Sequence, residues 1–518
     1  MSTSFLLSPE VDRLSTLLEE AARAGPTATY RFVEPAQGTL SRAKSARHHI
    51  VFGRRGSGKT SLLLKAAEDL GSTGCPVAYV DLERFKGQRY PDVLVSVLIA
   101  TFQSFGQSLS NLGPKGDSPK ATLLSRLLRR RPPKPISSVE DAIRSQITDL
   151  QELLVIPDDV DVKLVEETSE ARTRKAGLSV GVPSPLPATV SGAIERTVDK
   201  TTRGATEETA RRSKVDTLRR SLMGYSALLK DVSVATGKPA FLFLDDLYHI
   251  RRADQPYVLD YLHGLVKGTG IWMKVGTIRH RSAWYLSGDP PYGLKLRDDA
   301  DEINLDLTLE RFARARVFLM EILSRFVSEA NAPSTDGLLV EGAIDRLVLA
   351  SGGVARDFLG LLRGSIDQAR DRLSKEPADP RQRIGAEDVN LAAGEYGASK
   401  EEEFKIDSFE DSKSLEESFR RVARFCTEKA NANCFLVDQS APASRMSEID
   451  ELVDLRLVHL INSRITVRGR TGKIYRAFML DLSQYAGERK RRGFEMVPFW
   501  SRGGEERLRN TSLIYIEE

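Results

Sequence analysis

Cysteine is nearly absent: Cys75, Cys426 and Cys434 are the only three in 518 residues. They form no CxxC pair and no Cys/His array, which argues against a zinc site or a disulfide framework and points to a reducing, cytoplasmic setting. Net charge is also scarce. Lys plus Arg number 76 against 72 Asp plus Glu, a balance of +4, too small for a chain that coats nucleic acid or membrane along its whole length. The first residues, Met1 to Leu7, lack a basic stretch followed by a long apolar one, so they do not read as a secretory signal. One uncharged run, Ala176 to Ile194, has membrane-spanning length, but Pro183, Pro185 and Pro187 with Gly177, Gly181 and Gly192 break any helix there. No membrane span is expected. The hydrophobic fraction of 41%, with 38 Gly and 23 Pro, excludes collagen-like, mucin-like and globally disordered classes. At ~150 residues per domain the length suits roughly three globular units.

Strands alternate with helices through the first half. His48 to Phe52 is a short apolar strand running into glycines, and Cys75 to Asp81 is a second, followed by a helical pattern from Pro91 to Phe105. Ala240 to Leu244, Ile271 to Thr277 and Glu302 to Leu307 complete five strands, predicting a parallel α/β sheet covered on both faces. From about Gly106 to Arg220 the composition turns to Ser, Pro, Lys and Arg, which reads as a long insertion with helical spacing at Val139 to Leu154 and Thr206 to Leu229. The organisation expected is an N-terminal helix and loop over 1–47, an α/β core over 48–309, helices over 310–400, and a connector helix with a small mixed unit over 401–518.

The chemistry sits in two motifs. Gly53-Arg-Arg-Gly56-Ser57-Gly58-Lys59-Thr60 matches GxxxxGK[ST], placed after a strand and before the helical Ser61-Leu-Leu-Leu. Glycines let backbone N–H groups wrap a phosphate at a helix N-terminus, Lys59 supplies a cation, and Thr60 a hydroxyl to Mg²⁺. Phe241-Leu-Phe-Leu-Asp245-Asp246 is four apolar residues ending in two acids, a Walker B signature in which Asp245 serves the Mg²⁺ shell and Asp246 the attacking water. Thr277, at the end of the next strand, is placed to touch a γ-phosphate or that water. Arg356 stands three residues past Gly352-Gly353 at a helix start, from which it could reach the phosphates or pair with Asp357.

Taken together these motifs resemble the AAA+ ATPases over roughly residues 25 to 400, within the group that includes origin-recognition replication initiators and STAND signalling ATPases. The resemblance implies ATP and Mg²⁺, with Thr277 as sensor 1, Arg356 as the sensor 2 arginine, a helical lid from Glu310 to Gly397 and ATP-dependent homo-oligomers. Arg279 and Arg281 are the arginine-finger candidates by position. Asp246 stands where the initiators usually have Glu, and the insertion is longer than in a minimal domain, which suggests a surface for a protein partner.

The C-terminal part carries a second signal. Met446 to Ile461 has helical spacing, and two strand-like runs, Arg464 to Arg468 and Lys473 to Leu480, are joined through Gly469-Arg-Thr-Gly472. Helix then glycine-turned hairpin resembles a winged helix. Nine basic residues, among them Arg464, Arg468, Arg470 and Lys473, face two acids between 464 and 492. Such a hairpin could grip duplex DNA through its phosphates. Glu448, Asp450, Glu451 and Asp454 make the preceding helix acidic, which speaks for a protein-docking role.

Overall fold

The computed structural model describes residues 5–21, 25–112, 134–156, 214–376, 381–407, 412–486 and 493–516. The middle of the insertion, the uncharged run at 176–194 and the basic residues 489–492 lie outside them.

Five strands form one parallel sheet: β1 (His49–Phe52), β2 (Val77–Asp81), β3 (Ala240–Asp245), β4 (Ile271–Thr277) and β5 (Asp301–Asn304), in the spatial order β2-β3-β4-β1-β5. All five runs read from the sequence are strands in it. The alternation of side chains across the sheet explains why they read as continuous apolar runs. Ile50, Phe52, Leu242 and Leu244 face one buried cluster, while Val51, Phe241 and Phe243 face another.

On the first face pack α3 (Asp92–Leu112), α4 (Ile136–Val155), a helix over residues 214–236, and α5 (Gln255–Val266). The described flanks of the insertion therefore belong to the core: Val139, Ile143, Leu218 and Leu229 are all buried in it. Among the described residues α3 alone is long and apolar enough to cross a membrane, and its Val93, Leu94, Val97, Leu98 and Phe102 are spent on this cluster. The second face is covered by α2 (Lys59–Ser72) through Leu62, Leu63 and Ala66.

The region expected as a lid is helical: α6 (Phe312–Ala330), α7 (Glu341–Ser351), α8 (Ala355–Lys375) and α9 (Ala386–Asp407). The N-terminal helix α1 (Pro9–Glu20) packs into the same apolar cluster through Val11, Leu14 and Leu18, as does the C-terminal unit. That unit consists of α10 (Ser412–Arg424), β6 (Cys434–Asp438), α11 (Ala443–Asp454), β7 (Val458–Ile465) and β8 (Tyr475–Leu480), with an antiparallel sheet in the order β6-β8-β7.

The expected helix from Met446 to Ile461 ends early. Arg456 adopts a left-handed backbone, φ 64°, which stops α11, and Val458 to Ile461 belong to a strand instead. The hairpin strand is consequently longer and begins before Arg464.

Because β1 runs through the glycine loop into α2, and β3 delivers Asp245 to the same sheet edge, the chain has an α/β P-loop NTPase fold.

Candidate phosphate-binding site

The loop Gly53 to Thr60 needs glycine for local reasons. Gly56 and Gly58 have φ of 83° and 93°, where a side chain is strained. A Cβ on Gly56 would also lie 2.7 Å from the Cβ of Arg356 and 3.0 Å from Val354. The loop is thus packed directly against the start of α8, and the Arg356 N–H donates to the Gly56 carbonyl at 3.3 Å.

Lys59 and Ser57 are buried, and Thr60 and Ser61 form the first turn of α2. The Lys59 ammonium donates to the carbonyls of Gly53 (2.9 Å) and Arg54 (3.1 Å). Burial lowers its pKa, Asp246, Asp245 and Asp306 oppose that fall, and Arg356 adds to it. The Ser57 hydroxyl is buried with no hydrogen-bond partner.

Asp245 is 2% exposed. Its Oδ2 accepts from the Tyr79 hydroxyl at 2.7 Å and its Oδ1 from the Asp246 N–H at 2.9 Å. Gly276 on β4 makes room for it, since a Cβ there would sit 2.6 Å from Asp245 Oδ1. Asp246 has φ 57°, an uncommon conformation for a residue with a side chain. Burial and then Asp245 push its carboxyl up to about 6, against the pull of Lys59.

Strand order places β4 between β1 and β3, so Thr277 arrives between the two motifs, opposite Phe52 in register. It is fully buried and its hydroxyl is paired with that of Ser282. Arg279 is half-buried, paired with Glu302 and stacked 3.9 Å from the Phe52 ring. Arg281 lies over the Tyr248 ring at 5.8 Å, and the same ring faces Lys59 at 5.9 Å.

Several residues here escaped the sequence reading. Arg54, a variable position of the motif, is 2% exposed. It donates to the carbonyls of Leu307 (3.0 Å) and Gly352 (3.1 Å) and pairs with Asp306 at 3.3 Å, pinning the loop to the lid. Asp357, next to Arg356 in the chain, is fully buried. It pairs with Arg456 of the C-terminal unit at 2.5 Å and with Lys400 at 3.6 Å. Lys400 also meets Asp481 at 2.9 Å, and Asp481 meets His459 at 2.8 Å. Burial alone would raise the Asp481 carboxyl, but Lys400 and then His459 outweigh it and hold it below the usual range.

The C-terminal end of the acidic helix α11 faces the phosphate-loop side. Asp454 lies against Asp306, Arg54 and the backbone of His280, and burial followed by Asp306 pushes it up to about 7. Asp450 takes both guanidinium nitrogens of Arg476, at 3.1 and 2.6 Å. All four hairpin cations are exposed; Arg468 is paired with Glu506 and Lys473 with Asp438.

No family model matches the chain, and no curated protein matches it in sequence. Among solved structures, a Walker-type ATPase of Pyrococcus abyssi is similar over 86% of this chain and 91% of its own length, at 10% identity and a TM-score of 0.36.

Proposed function

We propose that the chain is an ATP-binding, slowly hydrolysing switch of the AAA+ kind, acting in the cytoplasm, in which the state of the phosphate loop is passed to a winged-helix-like C-terminal unit. The observation that carries the reading is the convergence of Lys59, Asp245 and Asp246 beside a glycine loop whose Ser57 hydroxyl is buried without a partner. These residues fit a nucleotide phosphate and a divalent cation. Backbone N–H groups from Gly56 to Ser61 and the Lys59 ammonium hold the phosphates, and Thr60 and Asp245 hold Mg²⁺. Bound Mg²⁺ supplies charge neutralisation at the phosphate oxygens. Asp246, whose carboxyl burial and then Asp245 raise above its ordinary value, would orient the attacking water and take its proton. Thr277 keeps the Ser282 loop in place beside that water, and Arg356 carries the phosphate state to α8.

The signalling reading is preferred to an initiator that reads DNA. Asp454, at the end of α11, lies against Arg54 and Asp306 of the ATPase core, Asp450 is held by Arg476 of its own unit, and an acidic helix repels a phosphate backbone. A protein partner, engaged through the insertion at 106–220 or an ATP-dependent homo-oligomer, suits this arrangement better. The test is ATP hydrolysis with and without duplex DNA, together with particle mass in each nucleotide state. Hydrolysis lost in Lys59→Ala and indifferent to duplex supports the reading. Hydrolysis strongly stimulated by duplex returns the initiator to the lead, and absence of ATP binding ends both.

A further inference from the structure

The segments that leave the carboxyl ends of β2, β3 and β4 bring together a row of tyrosines that the phosphate site does not use. The Tyr90 and Tyr257 ring centroids are 5.7 Å apart, and those of Tyr257 and Tyr292 are 4.9 Å apart. The rings are tilted by 42° and 54°, so none is closed off by a parallel neighbour in the row. All three are half-buried. Tyr292 belongs to a small hairpin, Tyr292–Gly293 paired with Tyr285–Leu286, whose Tyr285 and Leu286 are exposed.

Arginines flank this row. Arg219, from the 214–236 helix, is near enough to Tyr90 to oppose the rise that burial gives its phenol. Arg251 is 4.0 Å from Asp254, which in turn accepts the Tyr90 N–H at 3.2 Å. Arg89 and Arg252 adjoin Tyr90 and Arg251 in the chain. Arg89, Arg219 and Arg252 are exposed, and among the described residues no ion pair holds them. The acids at the row are occupied by backbone, Asp254 as above and Asp260 by the Gly293 N–H at 3.1 Å.

We propose that this face binds single-stranded nucleic acid, with unpaired bases laid on the tyrosine rings and phosphates met by Arg89, Arg219, Arg251 and Arg252. Ring faces beside cations of which only Arg251 has an acid at hand suit a strand whose bases are free to stack. A duplex keeps its bases stacked on one another, and an acidic peptide would use the arginines without the rings.

The face is tied to the phosphate site. Gln255 is fully buried, donates to the Ile250 carbonyl and accepts the Ala283 N–H, both at 2.8 Å. It thereby joins the loop after Asp246 to the loop after Thr277. A strand bound here would act on both loops at once.

The test is fluorescence anisotropy of an end-labelled oligothymidylate with the full chain and no nucleotide, so that it stands apart from the ATPase reading. Reversal of two arginines, Arg219→Glu with Arg252→Glu, should weaken binding at least about tenfold and lower the salt slope by about 0.7 per lost phosphate contact. Tyr257→Leu should weaken it about five- to a hundredfold with the slope unchanged, and Tyr257→Phe should restore it. Wild-type affinity in the arginine variant, equal binding to duplex of the same length, or equal competition by polyglutamate would each overturn the proposal.

Discussion

The phosphate loop and the seam between lid and C-terminal unit both bury charge, and they handle it in opposite ways. At the loop, Lys59 is answered only by backbone carbonyls, and no ion pair joins it to Asp245 or Asp246 among the described residues. At the seam the buried acids have cations beside them: Asp357 has Arg456 and Lys400, and Asp481 has Lys400 together with a hydrogen bond to His459, whose burial favours the neutral ring. A charge left without a close opposite in a buried place is costly unless a ligand completes it. The first cluster is therefore built to receive something, and the second to hold two units together. Arg356 and Asp357, adjacent in the chain, belong one to each.

If that contrast is right, substitutions at the two clusters should separate cleanly. The largest effect is expected for Asp246→Asn, which keeps shape and removes the base. Nucleotide affinity should persist while the hydrolysis rate falls about 10²- to 10⁴-fold, measured by phosphate release at saturating ATP. Loss of binding instead would make Asp246 a structural residue. Lys59→Ala should weaken ATP binding about a hundredfold in titration with a fluorescent ATP analogue, through loss of its charge-assisted bonds, while leaving the melting curve of the ligand-free protein nearly unchanged.

Arg456→Met should do the reverse. It leaves Asp357 buried beside Lys400 alone, a loss of about 3 kcal/mol, visible as a lower denaturation midpoint by tryptophan fluorescence. An unchanged midpoint would mean that the seam is not what holds the C-terminal unit.

A pH profile sharpens the contrast further. The Asp246 carboxyl lies above its ordinary value, at about 6, and must be ionised to accept a proton. With Mg²⁺ at Asp245 offsetting part of that rise, the rate at saturating ATP should fall by up to about tenfold per unit once pH drops below a midpoint between about 4 and 6, and a profile flat down to about pH 4 would remove Asp246 from that role. The smallest effect belongs to the exposed hairpin pair Arg468 and Glu506: Arg468→Ala should change stability by less than about 1 kcal/mol.

The two clusters also differ in how far the sequence disclosed them. Gly53 to Thr60 is contiguous, and the acids of β3 follow four apolar residues, so chain order alone carries the chemistry. The five strands were equally plain, since a sheet covered on both faces leaves each strand apolar throughout. The seam gathers Asp357, Lys400, Arg456, His459 and Asp481 from separate elements, and nothing in their local spacing links them. Tyr79 reaches Asp245 only because β2 lies beside β3. The end of α11 was misread for a different reason. Leu452, Val453, Leu455, Leu457, Val458, Leu460 and Ile461 satisfy helical spacing, and the left-handed turn at Arg456 that ends the helix falls on a residue type that gives no warning.

The central claim is that ATP at the phosphate loop is felt at the seam. Hydrogen exchange over residues 443–465, with and without saturating Mg²⁺ and ATP, tests it most directly. A change in protection around Asp454 to His459 in the wild-type protein, absent in Lys59→Ala, is the expected result. Identical exchange in both conditions with ATP demonstrably bound would contradict the account.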